Sequence, residues 1–509
     1  MESAILAALM DMLSPSILGA IVAGVVAGFF VGLLPGLQAN LGIALLLPVT
    51  FGMEPAAGLA MLCALYTSAI YAGSIPAILL RTPGTSASAA TAIDGYELTE
   101  QGRAVTALRT STMASVAGGF VSGVALLLVA PPLSLLSLRF GPPEYFLLAL
   151  FGLTSVASVS SGSLLKGLIA ATVGLLLGTV GMETSSGFSR FTFRIPELQS
   201  GISFVPVMIG LFGLSEVLAM SRRSAEEGRQ VARVLERWRW MPTRQEVSRL
   251  KGAILRSSLI GTLTGILPGA GADIGSWVAY TVGRRLSRHP ERFGRGSEEA
   301  VACSESANNA VTGGTLIPLL TLGIPGSASA AVLLGGLMIH GLTPGRELFT
   351  RYAEMTYTVM FAFLVANLVM GAMGMLAARY LVNVTLLPRS VLAPVVAVLC
   401  VVGSYSLGNN LFDVWVMTLS GIAGYFMRVH GYSAAALALG LILGPMAERG
   451  FRQSLTLARG ELLPYILSRP LSMVLIGLIV AFLVIPLILH GKKDAPADVA
   501  VQGAPGDTR

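Results

Sequence analysis

Two short segments, GLLPGLQAN (32–40) and GILPGAGAD (265–273), decide how this chain folds. Each lies inside a long apolar run and interrupts it in the same way. Pro lacks the N–H that would continue a helix, and Gly adopts dihedrals that other residues avoid. In hydrocarbon such unsatisfied backbone is costly, so it persists only where protein or a wet cavity covers it. A second pair follows in the same order, RTPGTSASAA (81–90) and GIPGSASAAV (323–332). Gly84 follows Gly36 by 48 residues, and Gly326 follows Gly269 by 57. Duplicated halves with matching interrupted helices are a sequence signature of secondary transporters.

The rest of the chain agrees with a bilayer setting. Of 509 residues, 54% are hydrophobic and 12% charged, against about 25% charged in ordinary soluble chains. A globule of this length could not cover so much apolar surface. The net charge of +7 does not point to nucleic acid, because ten of the 34 Lys and Arg residues fall between Arg222 and Arg256, beside apolar segments. That placement marks a cytoplasmic loop. Cys63, Cys303 and Cys400 form no CxxC, and no HExxH or His cluster occurs, so neither a disulfide framework nor a metal site is supported. The start, MESAILAALMDMLSPS, lacks a basic n-region, and its apolar segment is expected to remain as a helix.

A spanning helix needs about 20 mainly apolar residues. Runs 104–131, 143–161, 163–182, 201–220, 354–378, 389–407, 411–429 and 464–490 qualify, with 432–446 shorter. Segments 17–53, 56–92, 252–283 and 300–342 are apolar but broken by Pro-Gly. The expectation is an all-α polytopic membrane protein with about 12 transmembrane segments. It divides into an N-terminal membrane repeat (1–220), a basic cytoplasmic loop (221–251), a C-terminal membrane repeat (252–490) and a disordered tail (491–509). Segment 252–283 has basic residues at both ends, including Arg284, Arg285, Arg288, Arg292 and Arg295, so both ends read as cytoplasmic. Its legs, 252–267 and 273–283, are too short for two crossings, which favours a re-entrant hairpin. Segment 17–53 has only Glu2, Asp11 and Glu54 near its ends and reads as periplasmic. Two inverted repeats follow from that opposition.

The residues beside the breaks suggest the chemistry. Thr85, Ser86 and Ser88 follow Pro83-Gly84, and Ser327 and Ser329 follow Pro325-Gly326. At half-helix N-termini their hydroxyls, with the backbone N–H groups, suit an anion; the structural alternative is that small residues let helices approach closely. Arg81 and Thr82 precede the first of these breaks, and Arg81 is placed to pair a carboxylate at two points or to end a helix at the interface. Asp273, Asn308 and Asn309, with Gln38 and Asn40 in the first repeat, offer oxygens for a coupling ion, Na⁺ or H⁺. His340 reads as a helix-end residue. No Ser/His/Asp set or paired Asp on the apolar runs supports an enzyme.

At these residues the sequence resembles the large membrane subunit of the tripartite tricarboxylate transporters. The resemblance covers nearly the whole chain and rests on GLLPGL with LLLPVTFGMEP (45–55), YAGSIPAILLRTPGTSASAATAIDGYELTEQGRA (71–104), GILPGAGADIGSWVAY (265–280) and SESANNAVTGGTLIPLLTLGIPGSASAAVLLGGLMIHGLTPG (304–345). It implies an inner-membrane permease for citrate or other carboxylates, coupled to an ion gradient. The partners it implies are a periplasmic solute-binding protein and a small membrane subunit. The family often has Asn where Arg81 stands, which leaves the particular carboxylate open. Glycine-rich helices are compatible with a homodimer. A passive anion channel is the alternative, but importing a dianion against 100 mV, inside negative, costs about 4.6 kcal/mol. Accumulation therefore calls for cations.

Overall fold

The computed structural model describes residues 2–34, 37–136, 139–159, 164–183, 187–222, 241–267, 271–381 and 389–490. Nearly all of this is helix; one short ribbon, Gly181–Met182 with Ser189–Arg190, supplies the only strands among the described residues. Among the described residues six helices are long and apolar enough to cross a bilayer: Pro15–Leu33, Pro55–Leu80, Ala104–Leu135, Phe204–Ser221, Ala353–Leu376 and Ala434–Leu457. Shorter apolar helices, among them Ala39–Phe51, Leu164–Gly178 and Ala328–Ile339, complete an all-α polytopic membrane protein.

The two halves run through the same series. In the first, Pro15–Leu33 leads to the first break and Ala39–Phe51 leaves it; Pro55–Ala72 and Ser74–Leu80 then lead to the second break, followed by Ala89–Glu100 and Ala104–Leu136. In the second, the counterparts are Arg244–Ile266, Gly271–Leu286, Glu298–Leu322, Ala328–Ile339 and Ala353–Leu381. Packing repeats as well. Pro15–Leu33 lies along Pro55–Ala72 as Arg244–Ile266 lies along Glu298–Leu322. Glycines make this approach close: a Cβ on Gly32 would fall 2.3 Å from the Ala69 carbonyl oxygen, and one on Gly265 would fall 2.7 Å from that of Val311. Small residues at such contacts are what helix association in lipid requires, since lipid tails are as apolar as Leu.

Contacts between the halves are reciprocal, as in an isologous pair. Glu298–Leu322 packs on Ala104–Leu136, and its counterpart Pro55–Ala72 packs on Ala353–Leu381. Ala328–Ile339 packs on Ala39–Phe51, and Ala89–Glu100 on Gly271–Leu286. Each half-helix after a second break therefore rests on the returning leg of the other half.

The structure revises several expected boundaries. The hairpin legs are unequal: the leading legs hold 19 and 23 residues, enough to cross, while the returning legs hold 13 and 16. The leg expected at 252–267 is longer because a capping box, Thr243 with Glu246, starts the helix in the basic segment ahead of the apolar run. Segment 432–446 belongs to a longer helix, Ala434–Leu457, whose polar last turns are held by Glu448 pairing with Arg190 and Arg452. The run 464–490 is two helices, because Pro470 suits the first position of a new one. The first breaks at 35–36 and 268–270, most of the basic loop (223–240) and the tail (491–509) lie outside the described residues.

Candidate functional site

The second breaks are built alike, atom for atom in several places. Before each, a Pro sits in the helix and its carbonyl is used beyond the break: Thr82 N–H donates to Pro76 O at 3.3 Å, and Ile324 N–H to Pro318 O at 3.2 Å. Both helices end in the left-handed region, at Arg81 (φ 54°) and Gly323 (φ 72°). The conformation costs Gly nothing, whereas Arg81 holds it at some strain. Gly84 and Gly326 then seat against the leading leg of their own hairpin. A Cβ on Gly84 would lie 2.5 Å from the Gly32 carbonyl oxygen, and one on Gly326 would lie 2.5 Å from that of Gly265. In both halves the second break is thus clamped to the leg that leads into the first.

The hydroxyls after the breaks are occupied in capping. Thr85 N–H donates to Ser88 Oγ at 3.2 Å, Ser88 N–H to Thr85 Oγ1 at 3.3 Å, and Ser88 Oγ to Thr85 O at 2.8 Å. Ser327 Oγ accepts from Ala330 N–H at 3.1 Å and meets the Tyr66 hydroxyl at 3.1 Å. An anion at either half-helix would compete with these bonds. Pro325 and Gly326 are buried, Ser329 is half-buried, and Ser86 and Pro83 are exposed. Thr82 Oγ1 is buried without a hydrogen-bond partner. Arg81 is exposed, its guanidinium 5.6 Å from the centre of the Tyr96 ring, rather than directed into the interior.

The crossing of the halves brings first and second breaks together. Gln38 and Asn40 line a cavity of about 360 Å³ with Ala328, Ser215, Glu216 and Arg428, so the first-repeat return leg and the second-repeat half-helix share a space. On the other side Ser276 Oγ donates to Ala87 O at 2.8 Å, joining the 81–88 loop to the helix that follows 268–270. Asp273 lies in that helix, its side chain outside the described residues.

Asn309 lies between the two assemblies. Its Oδ1 accepts from Thr67 Oγ1 at 3.0 Å, and its Nδ2 donates to Asn367 Oδ1 at 2.8 Å and Ser115 O at 2.9 Å. Thr67 and Asn309 are 242 residues apart, the same interval as Gly84 and Gly326, so equivalent positions of the halves meet here. Neighbouring Asn308 is fully buried, with its Oδ1 unpartnered.

Sequence reasoning passed over several of these groups. Tyr66, Thr67 and Asn367 join the network through partners more than 200 residues away. Asp94, fully buried, accepts from the N–H groups of Gly294, Gly296 and Ser297 and from the Tyr280 hydroxyl, so it ties the first half-helix to the start of Glu298–Leu322. Glu305 is also fully buried. A charge inside an apolar run was the available signal for both. His340 ends its helix with Nε2 unpartnered.

Residues 18–439 match the Tripartite tricarboxylate transporter TctA family. The chain is similar to an uncharacterized 52.8 kDa protein in the TAR-I ttuC' 3'region of Agrobacterium vitis, 37% identical over 89% of this chain and 90% of the relative. An uncharacterized protein in the TAR-II ttuC' 3'region of the same organism is 34% identical over 46% of this chain and 97% of its own length. No solved structure matches. With four-fifths of its length inside the family match and paired broken helices at its centre, the chain belongs to the tripartite tricarboxylate transporter TctA family.

Proposed function

We propose that this chain is the permease subunit of a secondary active importer of organic di- or tricarboxylates, driven by a cation gradient. A periplasmic binding protein would deliver the anion and a small membrane subunit would complete the complex in the bacterial inner membrane. One observation carries the reading: in both halves the second break is clamped to the leading leg of its own hairpin, through Gly84 on Gly32 and Gly326 on Gly265. Irregular backbone of this kind at membrane depth is the usual setting of a transporter's substrate site, at the interface of its repeats.

In this reading the anion lodges where the loops 81–88 and 323–329 approach the centre, displacing the capping bonds of Thr85, Ser88 and Ser327 to reach the half-helix N-termini. Arg81, held at the exposed mouth of its loop, draws the anion in by charge. The charge arithmetic asks for cations: a dianion needs about three monovalent ions for the membrane potential to favour net uptake.

Uptake of labelled citrate into proteoliposomes, with binding protein and small subunit present, tests this. Accumulation above the outside concentration under an inward Na⁺ or H⁺ gradient is expected. Flux that follows only the anion's own electrochemical gradient, whatever cation gradient is imposed, would make the protein a channel and overturn the proposal.

A further inference from the structure

Glu305 is a carboxylate at zero exposure in the middle of the bundle. Hydroxyls from two helices, Ala89–Glu100 and Ala104–Leu136, converge on it. Thr91 Oγ1 donates to Oε1 at 2.5 Å, Ser115 Oγ to Oε2 at 3.1 Å, and Ser111 Oγ to Oε2 at 3.2 Å, while Asn308 Nδ2 approaches Oε1 at 3.4 Å. Ser304 backs Thr91 at 2.9 Å. Among the described residues no cationic side chain pairs with it.

Most charged and titratable groups on the surrounding helices are engaged elsewhere; Arg256, on Arg244–Ile266, has buried Nε and Nη2 atoms without a hydrogen-bond partner but lies beside Cys303 and forms no ion pair with Glu305. Asp94 accepts from backbone N–H groups and Tyr280. Arg109 pairs with Glu246, Glu298 with Arg103 and Arg249, and Glu299 accepts from Ser287. Tyr71, the titratable neighbour on Pro55–Ala72, shares its hydroxyl with Thr112 at 2.6 Å. Four hydroxyl and amide donors solvate a carboxylate, but they supply no positive charge, and a buried unpaired charge is among the costliest features a protein can hold.

Two further atoms point to what supplies it. Asn308 Oδ1, on the same amide that touches Glu305, is buried with no partner, and the buried Ser74 Oγ faces the carboxylate just outside hydrogen-bond geometry. The first-repeat counterpart of Asn308 is Tyr66, at the shared interval of 242 residues, and its hydroxyl reaches across to Ser327. In the second repeat the shorter Asn leaves that reach unfilled. The result is a nest whose ready donors are oxygens: carboxylate, amide carbonyl and hydroxyl, the set that suits hard cations and protons rather than soft metals.

We propose that Glu305, Asn308 and Ser74 form the site of one monovalent cation, Na⁺ or H⁺, that enters and leaves with each transport cycle. This deepens the importer reading above and rests on it. The cation neutralises Glu305 and takes Asn308 Oδ1 and Ser74 Oγ as ligands or hydrogen-bond partners; the Thr91 hydroxyl, which donates to the empty carboxylate, turns to present its oxygen. Thr91 belongs to Ala89–Glu100, the half-helix that opens at the 81–88 loop. Loading is thereby felt at the substrate loop three residues away.

Glu305→Gln keeps the shape and removes the charge. In proteoliposomes the wild type is compared with Glu305→Gln, Asn308→Ala and, as control, Glu347→Gln, a surface carboxylate bonded to Thr343. One arm imposes a Na⁺ gradient at equal pH, the other a pH gradient without Na⁺. The expected result is that one gradient drives citrate accumulation in wild type and Glu347→Gln, and that Glu305→Gln loses this drive while retaining citrate exchange. Which arm responds names the ion, and Asn308→Ala raises the concentration of that ion needed. Glu305→Gln accumulating citrate under the same gradient as wild type would overturn the proposal. Binding of radioactive Na⁺, and proton uptake, are also measured on purified protein without carboxylate. If wild type binds neither ion, or Glu305→Gln binds as wild type does, the site is refuted. If wild type binds the ion through Glu305 but moves no carboxylate, the importer reading fails and the site stands.

Discussion

A single methyl group at Gly84 is the sharpest probe of the clamp on the leading leg. The Cβ of Gly84→Ala would sit 2.5 Å from the Gly32 carbonyl oxygen and 2.7 Å from the Gly73 Cα, where ordinary contact begins at 3.4 Å. Both neighbours are backbone, so loop 81–88 must lift by the difference, 3.4 − 2.5, or 0.9 Å. Inserting a methyl into a packed interior costs about 1–3 kcal/mol. The cost falls only on states that keep the loop seated, so it shifts the conformational balance by roughly 5- to 150-fold. Citrate uptake by Gly84→Ala in proteoliposomes should fall by about tenfold or more. Gly326→Ala should behave alike, since its contact with Gly265 O is also 2.5 Å. Gly19→Ala, with nothing within 4 Å of its Cβ, should transport normally. If Gly84→Ala and Gly326→Ala both matched wild type in uptake and thermal midpoint, the clamp would play no part in transport.

Asn309→Ala leaves Thr67, Asn367 and the Ser115 carbonyl without a shared partner, and the thermal midpoint in detergent should drop by an amount equivalent to about 1–3 kcal/mol. Unchanged unfolding would mean that the central network holds nothing. Arg81→Gly relieves the left-handed strain and removes the charge; the citrate KM should rise while the maximal rate holds and the thermal midpoint stays level or rises, and an unchanged KM would reduce Arg81 to a helix end. Partial burial pushes the Glu246 carboxyl up, but the Thr243 backbone N–H and hydroxyl and the Arg109 guanidinium outweigh it and hold it below the usual carboxylate range. Its contribution is therefore present above the ordinary value and lost as pH falls through the lowered one. Thr243→Ala should cost about 0.5–2 kcal/mol and move acid unfolding to higher pH; an unshifted acid limb would refute that assignment.

How much of this was legible in the sequence depended on range. The paired breaks were plain because Pro and Gly act locally, and the interval from Gly84 to Gly326 already gave the register of the halves. Helix ends were less legible where polar residues continue a helix past its apolar face, as Glu448 and Arg452 do. The central network was least legible. Thr67, Asn367 and Tyr66 look like ordinary polar punctuation until packing brings the other half against them. Glu305 could have been found by asking where a buried charge finds its counterpart, since nothing in SESANNAV offers one. The hydroxyls of Thr85, Ser88 and Ser327 were visible as anion donors, but their capping bonds depend on backbone geometry that composition does not reveal.

Substrate protection of introduced thiols shows whether the carboxylate is held at the two break loops. Ser86→Cys and Ser329→Cys place thiols on those loops, and the native Cys63, Cys303 and Cys400 are buried out of reach of a polar reagent. Citrate should slow labelling at both positions, over the same concentration range that saturates uptake. Labelling at an unchanged rate in saturating citrate, by a protein that still transports it, would place the anion elsewhere.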